Sequence, residues 1–176
     1  MTHVEGSAEP WIQDLLCALL KSLQRPAPKV LECGGFLGHT SVRLLTTLNE
    51  IGGGSLTVAE WDHEAPERAD AVQAALEAVP LYEAEWRVVR SDALDVIRDF
   101  ADGSLDFVFL DDDHQAAHVD AELVLLFPKM APGGIICGHD VYGSCELHEV
   151  FTRHGGYALD LPRLGPAGGL GILQVR

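Results

Sequence analysis

The chain of 176 residues carries 27 acidic against 12 basic side chains, a formal net charge of −15, and 47% of its residues are hydrophobic. That length buries a core without disulfide staples, and the apolar share excludes a disordered chain. The acidic balance excludes a nucleic-acid surface. With only Lys21, Lys29 and Lys129 as lysines there is no basic tract for anionic lipid either, so a small neutral or cationic ligand fits best.

No apolar run approaches the ~20 residues of a membrane span, and the start MTHVEGSAEP lacks the basic and apolar regions of a signal peptide. A cytoplasmic protein without membrane attachment is expected. Cys17, Cys33, Cys137 and Cys145 show no CxxC spacing and read as reduced thiols, none of them singled out as a nucleophile.

The first element is an amphipathic helix from about Pro10 to Leu23, with Trp11, Leu15, Leu16, Leu19, Leu20 and Leu23 at helical spacing. Pro26-Ala27-Pro28 ends it. A short strand, Val30–Cys33, runs into the turn Gly34-Gly35-Phe36-Leu37-Gly38, and His39–Asn49 continues as a helix. Then follow a strand at Ser55–Glu60, an alanine-rich helix at Glu64–Val79, a strand at Glu85–Val89 and a short helix at Leu94–Phe100. The strand Leu105–Leu110, the helix Ala116–Met130 and the strand Gly134–Gly138 complete the alternation. After a helix at Cys145–Arg153, the runs Tyr157–Leu161 and Leu170–Val175 form a hairpin joined by Gly165–Gly169. Alternating βα units predict an α/β fold, a doubly wound and mostly parallel sheet, and the C-terminal hairpin adds an antiparallel strand at or near one edge. One domain over residues 1–176 is expected, with residues 1–25 as an N-terminal helix or lid and 26–176 as the core.

Three places carry chemistry. Glycines in the first turn let the backbone bend sharply and approach a ligand, and Glu60 lies roughly the ~20 residues beyond it expected of a ribose-binding acid. Together they point to a nucleoside-containing ligand. Asp92, after the third strand, serves either as a helix N-cap or as a partner of an exocyclic amine. Trp61 either stacks on a base or packs at the rim. The third place is Asp111-Asp112-Asp113-His114, at the end of an apolar strand, with His139-Asp140 ending the next. Three adjacent carboxylates repel one another unless a cation, a raised pKa or full solvation relieves them. On an extended strand Asp113 shares a face with Asp111 and becomes a further ligand, and His118 shares a helix face with His114 if the helix has begun by then.

The segments VLECGGFLGHTSVRLL, LTVAEWD, VVRSDALDVI and FVFLDDDH…APGGIICGHD resemble the successive motifs of class I S-adenosylmethionine-dependent methyltransferases. Within that group the chain is similar to the metal-dependent small-molecule O-methyltransferases, among them the macrolide-sugar O-methyltransferases and cephalosporin-hydroxylase-like proteins. The likeness spans roughly Val30–Asp140. It implies a Rossmann-like methyltransferase fold of seven strands with the last antiparallel, S-adenosylmethionine as cofactor and a small-molecule acceptor. It places Glu32, Gly34 and Gly38 under the methionine moiety, Glu60 at the ribose, and Asp92 and Ala93 beside adenine, with Gly35, Ser41 and Trp61 as further cofactor-binding candidates. It makes His114 the base and assigns Asp111 to both catalysis and the cofactor edge. It gives a divalent metal, magnesium in the relatives, to Asp111, His139 and Asp140. His139 departs from the pattern, because imidazole suits zinc, iron or nickel better than magnesium.

Two other classes fit the same glycine turn. A nicotinamide-dependent oxidoreductase would use Glu60 likewise, but the spacing is not G-x-G-x-x-G and no Tyr-x-x-x-Lys pair exists. A non-catalytic binder of the same cofactor is the other. A homodimer that completes the acceptor pocket is the hypothesis for assembly.

Overall fold

The computed structural model describes residues 8–61, 65, 67–80, 83–142, 146–160 and 168–176. Seven strands form one sheet: β1 (Lys29–Cys33), β2 (Gly54–Ala59), β3 (Ala84–Val89), β4 (Leu105–Leu110), β5 (Met130–His139), β6 (Tyr157–Leu159) and β7 (Leu170–Gln174). Their order is β3-β2-β1-β4-β5-β7-β6. Neighbours from β3 to β5 are parallel, while β7 runs antiparallel between β5 and β6. The antiparallel strand is therefore inserted next to the edge, with β6 outermost. The expected bend at Gly165–Gly169 falls largely outside the described residues.

The helices are α1 (Pro10–Ser22), α2 (His39–Glu50), α3 (Glu67–Glu77), α4 (Ala93–Asp99), α5 (Ala116–Lys129) and α6 (Leu147–Arg153). Two hydrophobic layers result. Ile12, Leu16 and Leu20 of α1 pack with Leu44, Leu48, Val72, Phe107 and Phe109 on one sheet face. Val96, Val119, Leu123 and Phe151 pack with Leu31, Val108 and Leu110 on the other. Alternate residues of β1 and β4 thus enter opposite layers, as strand pleating requires. Helix α1 is built into the first layer, with Ile12 and Leu16 fully buried, rather than resting over the site as a cover. Asp106, the one charge inside the apolar β4, is matched by Arg25 at 2.6 Å and by the Lys29 amide at 2.8 Å. The loss of apolar burial there is offset by two charge-assisted bonds that tie the α1–β1 connection to the sheet centre.

The sheet order reverses between β1 and β4, where crossovers leave to opposite faces and a crevice opens beyond the strand ends. Register brings particular residues there. Cys33 pairs with Ala59 and with Leu110, and Leu110 pairs with Gly138. One residue further along each strand, Glu60, Gly34, Asp111 and His139 stand side by side. The ladder continues into that row through Gly34 N–H to Ala59 O and Asp111 N–H to Cys33 O, both 2.8 Å.

Candidate active site

The crevice is a cleft of about 710 Å³ lined by that row together with residues from the N-terminal segment, α3 and the start of α5. At its β1–β3 end, Glu60 Oε2 accepts hydrogen bonds from the Gly35 and Phe36 amides at 2.7 and 2.8 Å. The carboxylate that a ribose reading requires therefore also holds the turn closed. Burial pushes its pKa up, against the pull of those two amides and of Arg68. Arg68 in turn lies over the Phe36 ring, 5.4 Å from its centroid, and lines the cleft.

The glycines of this turn act in different ways. Gly34, at φ +84°, lines the cleft, and a Cβ there would stand 2.4 Å from the Asp111 carbonyl oxygen. Behind the lining, a Cβ on Gly35 would meet Val58 and Val72 at 2.7 Å, so its bareness serves strand–helix packing. Gly38 sits at φ +81° before α2, against Ala75. Ser41 and Glu32 are likewise fully buried behind the cleft. Both Glu32 carboxylate oxygens lack a hydrogen-bond partner. Burial pushes that carboxyl up to about 8; nearby Ser41 works against the rise, and Asp111 and Glu60 add to it. Burial thus favours the protonated form of Glu32.

Ala93 and the half-exposed Trp61 line the same end. Asp92 does too, and its Oδ1 accepts the Leu94 amide at 2.7 Å, so the N-cap role is realised. Capping uses one carboxylate oxygen and leaves the other available to a ligand.

The three aspartates at the end of β4 part company. Asp111 continues the face of Phe107 and Phe109; its Oδ1 is 2.8 Å from His139 Nδ1 and 3.5 Å from His114 Nε2. Asp112 turns to the opposite layer, 3.3 Å from His118 Nε2. Asp113 lies beyond the strand, which ends at Leu110, and accepts the Gln115 amide at 2.9 Å as α5 begins. The expectation that Asp113 shares a strand face with Asp111 fails because the chain has already left the extended conformation. The pairing of His114 with His118 fails for a related reason. Helix α5 begins at Ala116, so His114 precedes it and faces Asp111 and Asp140 while His118 faces Asp112.

His139 is held at both ring nitrogens, by Asp111 and by Glu9 Oε2 at 3.2 Å. Burial works to lower its pKa, but the bond to Asp111, the nearby Asp140 and Glu9 outweigh it and push it up to about 9. These carboxylates favour the protonated ring, which can donate to both at once. Glu9 comes from 130 residues away in sequence and lines the cleft; as an isolated acid before a helix it gave no signal. Asp140 stands at φ +52°, its side chain against Gly168, where an added Cβ would lie 2.1 Å from Asp140 Oδ1. A non-glycine residue held in the left-handed region is costly, about 1–3 kcal/mol, and such cost is concentrated at functional positions. His114 Nε2 is buried without a well-formed bond, 3.5 Å from both Asp111 and Asp140. Asp111 raises its pKa most, and burial opposes that.

Donor atoms of Asp111, His114 and His139 lie within 4.8 Å of one another. Among the described residues a second such set exists, Asp112, His118 and Glu122. Cys17, Cys33 and Cys137 are free and buried, and burial pushes Cys33 and Cys137 up, the opposite of an activated thiol.

Residues 31–141 match the family model described as a methyltransferase domain. The chain belongs to the methyltransferase domain family. Over 132 residues this methyltransferase domain is 30% identical to the O-methyltransferase ankF of Aspergillus thermomutatus, covering 73% of this chain and 52% of that protein. It thus spans about half the length of that curated relative. The fold is that of an O-methyltransferase from Bacillus cereus solved with SAH, at TM-score 0.71 and 20% identity over 98% of this chain and 84% of the other. It is also that of TomG from Streptomyces achromogenes, an O-methyltransferase of tomaymycin synthesis solved with SAM, at TM-score 0.69 and 21% identity over 97% and 82%. In this domain no described helix is long and apolar enough to cross a membrane.

Proposed function

We propose that the cleft binds S-adenosylmethionine and that the chain transfers its methyl group to a hydroxyl of a small molecule, with His114 as general base. The observation that carries this reading is the juxtaposition within one cleft of Gly34, Glu60 and Asp92 at one end and the Asp111–His114–His139 cluster at the other. S-adenosylmethionine supplies an electrophilic methyl on a sulfonium when bound. Displacement from sulfur is in line, so the protein's main task is alignment of the acceptor oxygen with that methyl.

Within this reading Glu60 takes the ribose with the carboxylate oxygen not engaged by the turn, and the bare Gly34 leaves room for the methionine portion. The acceptor end is dominated by carboxylates, which favour a cationic sulfonium nearby. His114 takes the hydroxyl proton, and Asp111 and Asp140, each 3.5 Å from its buried Nε2, stabilise the imidazolium that forms. Asp111 orients both imidazoles.

A divalent ion would be held by Asp111 and His139, whose donor atoms form one close group with His114 that does not include the expected Asp140, and it would supply Lewis acidity to the acceptor hydroxyl. Imidazole among the donors favours a transition ion over magnesium, and such an ion would compete with protonation of His139, which its carboxylate neighbours favour.

S-adenosylmethionine or its demethylated product at about 100 times Kd should raise the melting temperature by roughly 5–10 °C, and NAD should leave it unchanged. A shift with NAD alone would overturn the reading. Because His114 is more basic than the ordinary 6.5, it must lose a proton to act. The rate of methyl transfer should therefore rise with pH through an apparent midpoint above that value, and His114→Ala should lower it ~10²-fold and abolish the rising limb. A profile unchanged in the variant would remove His114 from the chemistry.

A further inference from the structure

We propose that Asp112, His118 and Glu122 form a second cation site, for a borderline divalent ion of the zinc type, on the α5 side of the sheet. It is separate from the Asp111–His114–His139 cluster, because Asp111 faces His139 and His114 while Asp112 faces His118.

Glu122 carries the argument. Its neighbours on the α5 face are apolar: Val119, Leu123 and Leu126 are all buried in the same layer. Glu122 is itself 0% exposed; only the weak donor Cys33 Sγ–H lies beside its carboxyl, and neither oxygen makes a well-formed hydrogen bond. An ionised carboxylate there, with only a thiol beside it, costs several kcal/mol, far more than any packing gain over leucine or methionine. The side chain nevertheless points at polar groups. Its Oε1 is 3.8 Å from His118 Nε2, one helical turn earlier on the same face. That imidazole nitrogen is also 3.3 Å from Asp112 Oδ2, while Asp112 Oδ1 is buried and unpartnered.

One donor atom from each of the three residues lies within 4.8 Å of the others. Two carboxylates and one imidazole match zinc, manganese or ferrous iron by ligand type, and two carboxylates balance the ion's charge. Asp112 and His118 line the cleft, so an ion has an entry path and an open coordination position toward bound ligands. The competing occupant is a proton on Glu122, which would satisfy the carboxyl without any metal.

The test uses the full chain, stripped of metal by chelator dialysis, in a His139→Ala background that disables the first cluster. Titration with zinc by calorimetry should show one equivalent bound, and with cobalt the visible ligand-field bands of a nitrogen–oxygen site. Adding Glu122→Gln, an uncharged isostere, should weaken zinc roughly 10²-fold or more and abolish the zinc-dependent rise in melting temperature. His118→Gln, at a partly exposed position, should do the same if the Glu122 variant fails to fold. No zinc equivalent in the His139→Ala background, or one retained at parental affinity in either further variant, would overturn the site. These outcomes stand apart from cofactor binding, which the NAD comparison tests.

Discussion

Asp111→Ala should lower methyl transfer by about 10³-fold while leaving the affinity for S-adenosylmethionine within a few-fold of the parent, measured by single-turnover kinetics and calorimetry on the same preparations. The size follows from how many groups depend on this one carboxylate. Its Oδ1 bonds His139 at 2.8 Å and is the nearer-to-core partner of His114 at 3.5 Å. Without it the buried His139 keeps only Glu9 as a bonded carboxylate and loses the interaction that most raises its pKa. His114 loses its main acidic neighbour as well, and its pKa falls. Both imidazoles then change charge and orientation together. At the proposed cofactor end Gly34 packs against the Asp111 backbone, which the substitution keeps, so binding there should survive. Loss of cofactor affinity in proportion to rate would show instead that Asp111 acts by holding the ligand.

Gly34→Ala should destabilise the fold by about 2–5 kcal/mol, read from denaturant midpoints. Two costs coincide at this position. The residue stands at φ +84°, and its Cβ would lie 2.4 Å from the Asp111 carbonyl oxygen and 2.8 Å from the Asp112 Cα. Those are backbone atoms at the junction of β1 and β4, which cannot swing aside as a side chain can. Gly52→Ala is the matched control. At φ +96° it meets nothing within 4 Å, so it carries the conformational cost alone, about 1 kcal/mol. Equal losses for the two variants would mean that the β1–β4 contact relaxes freely. If the contact is rigid, Gly34→Ala also displaces Asp111, and activity falls faster than stability.

The order of elements was legible because each one is encoded over a few residues. LDFVFL is a continuous apolar run with one charge, and Leu105–Leu110 is a strand buried on both faces. The helix at Pro10 and the strand at Leu170 also begin where periodicity places them. The glycine turn and the strand-end acid of the proposed cofactor end were legible for the same reason, being local signals that register then brings into one cleft. Boundaries drifted where caps are weak, as at β5, which starts at Met130 rather than Gly134.

At the acidic cluster the sequence by itself determined the residue types and their position at the end of a central strand. It did not determine which way each pointed. Three adjacent aspartates looked like one crowded group, and the tertiary structure made them three. Asp111 faces His139 and His114, Asp112 faces His118, and Asp113 accepts the Gln115 amide in the turn before α5. Pleating sends consecutive side chains to opposite layers, but where a strand ends and a helix begins is decided by packing against both neighbours. Glu9 and Glu122 were invisible for the same physical reason. One meets His139 only because α1 is packed into the sheet, and the other is buried only because α5 lies over Cys33 and Asp112. Local pattern fixes what a segment is, and long-range contact fixes what its polar atoms face.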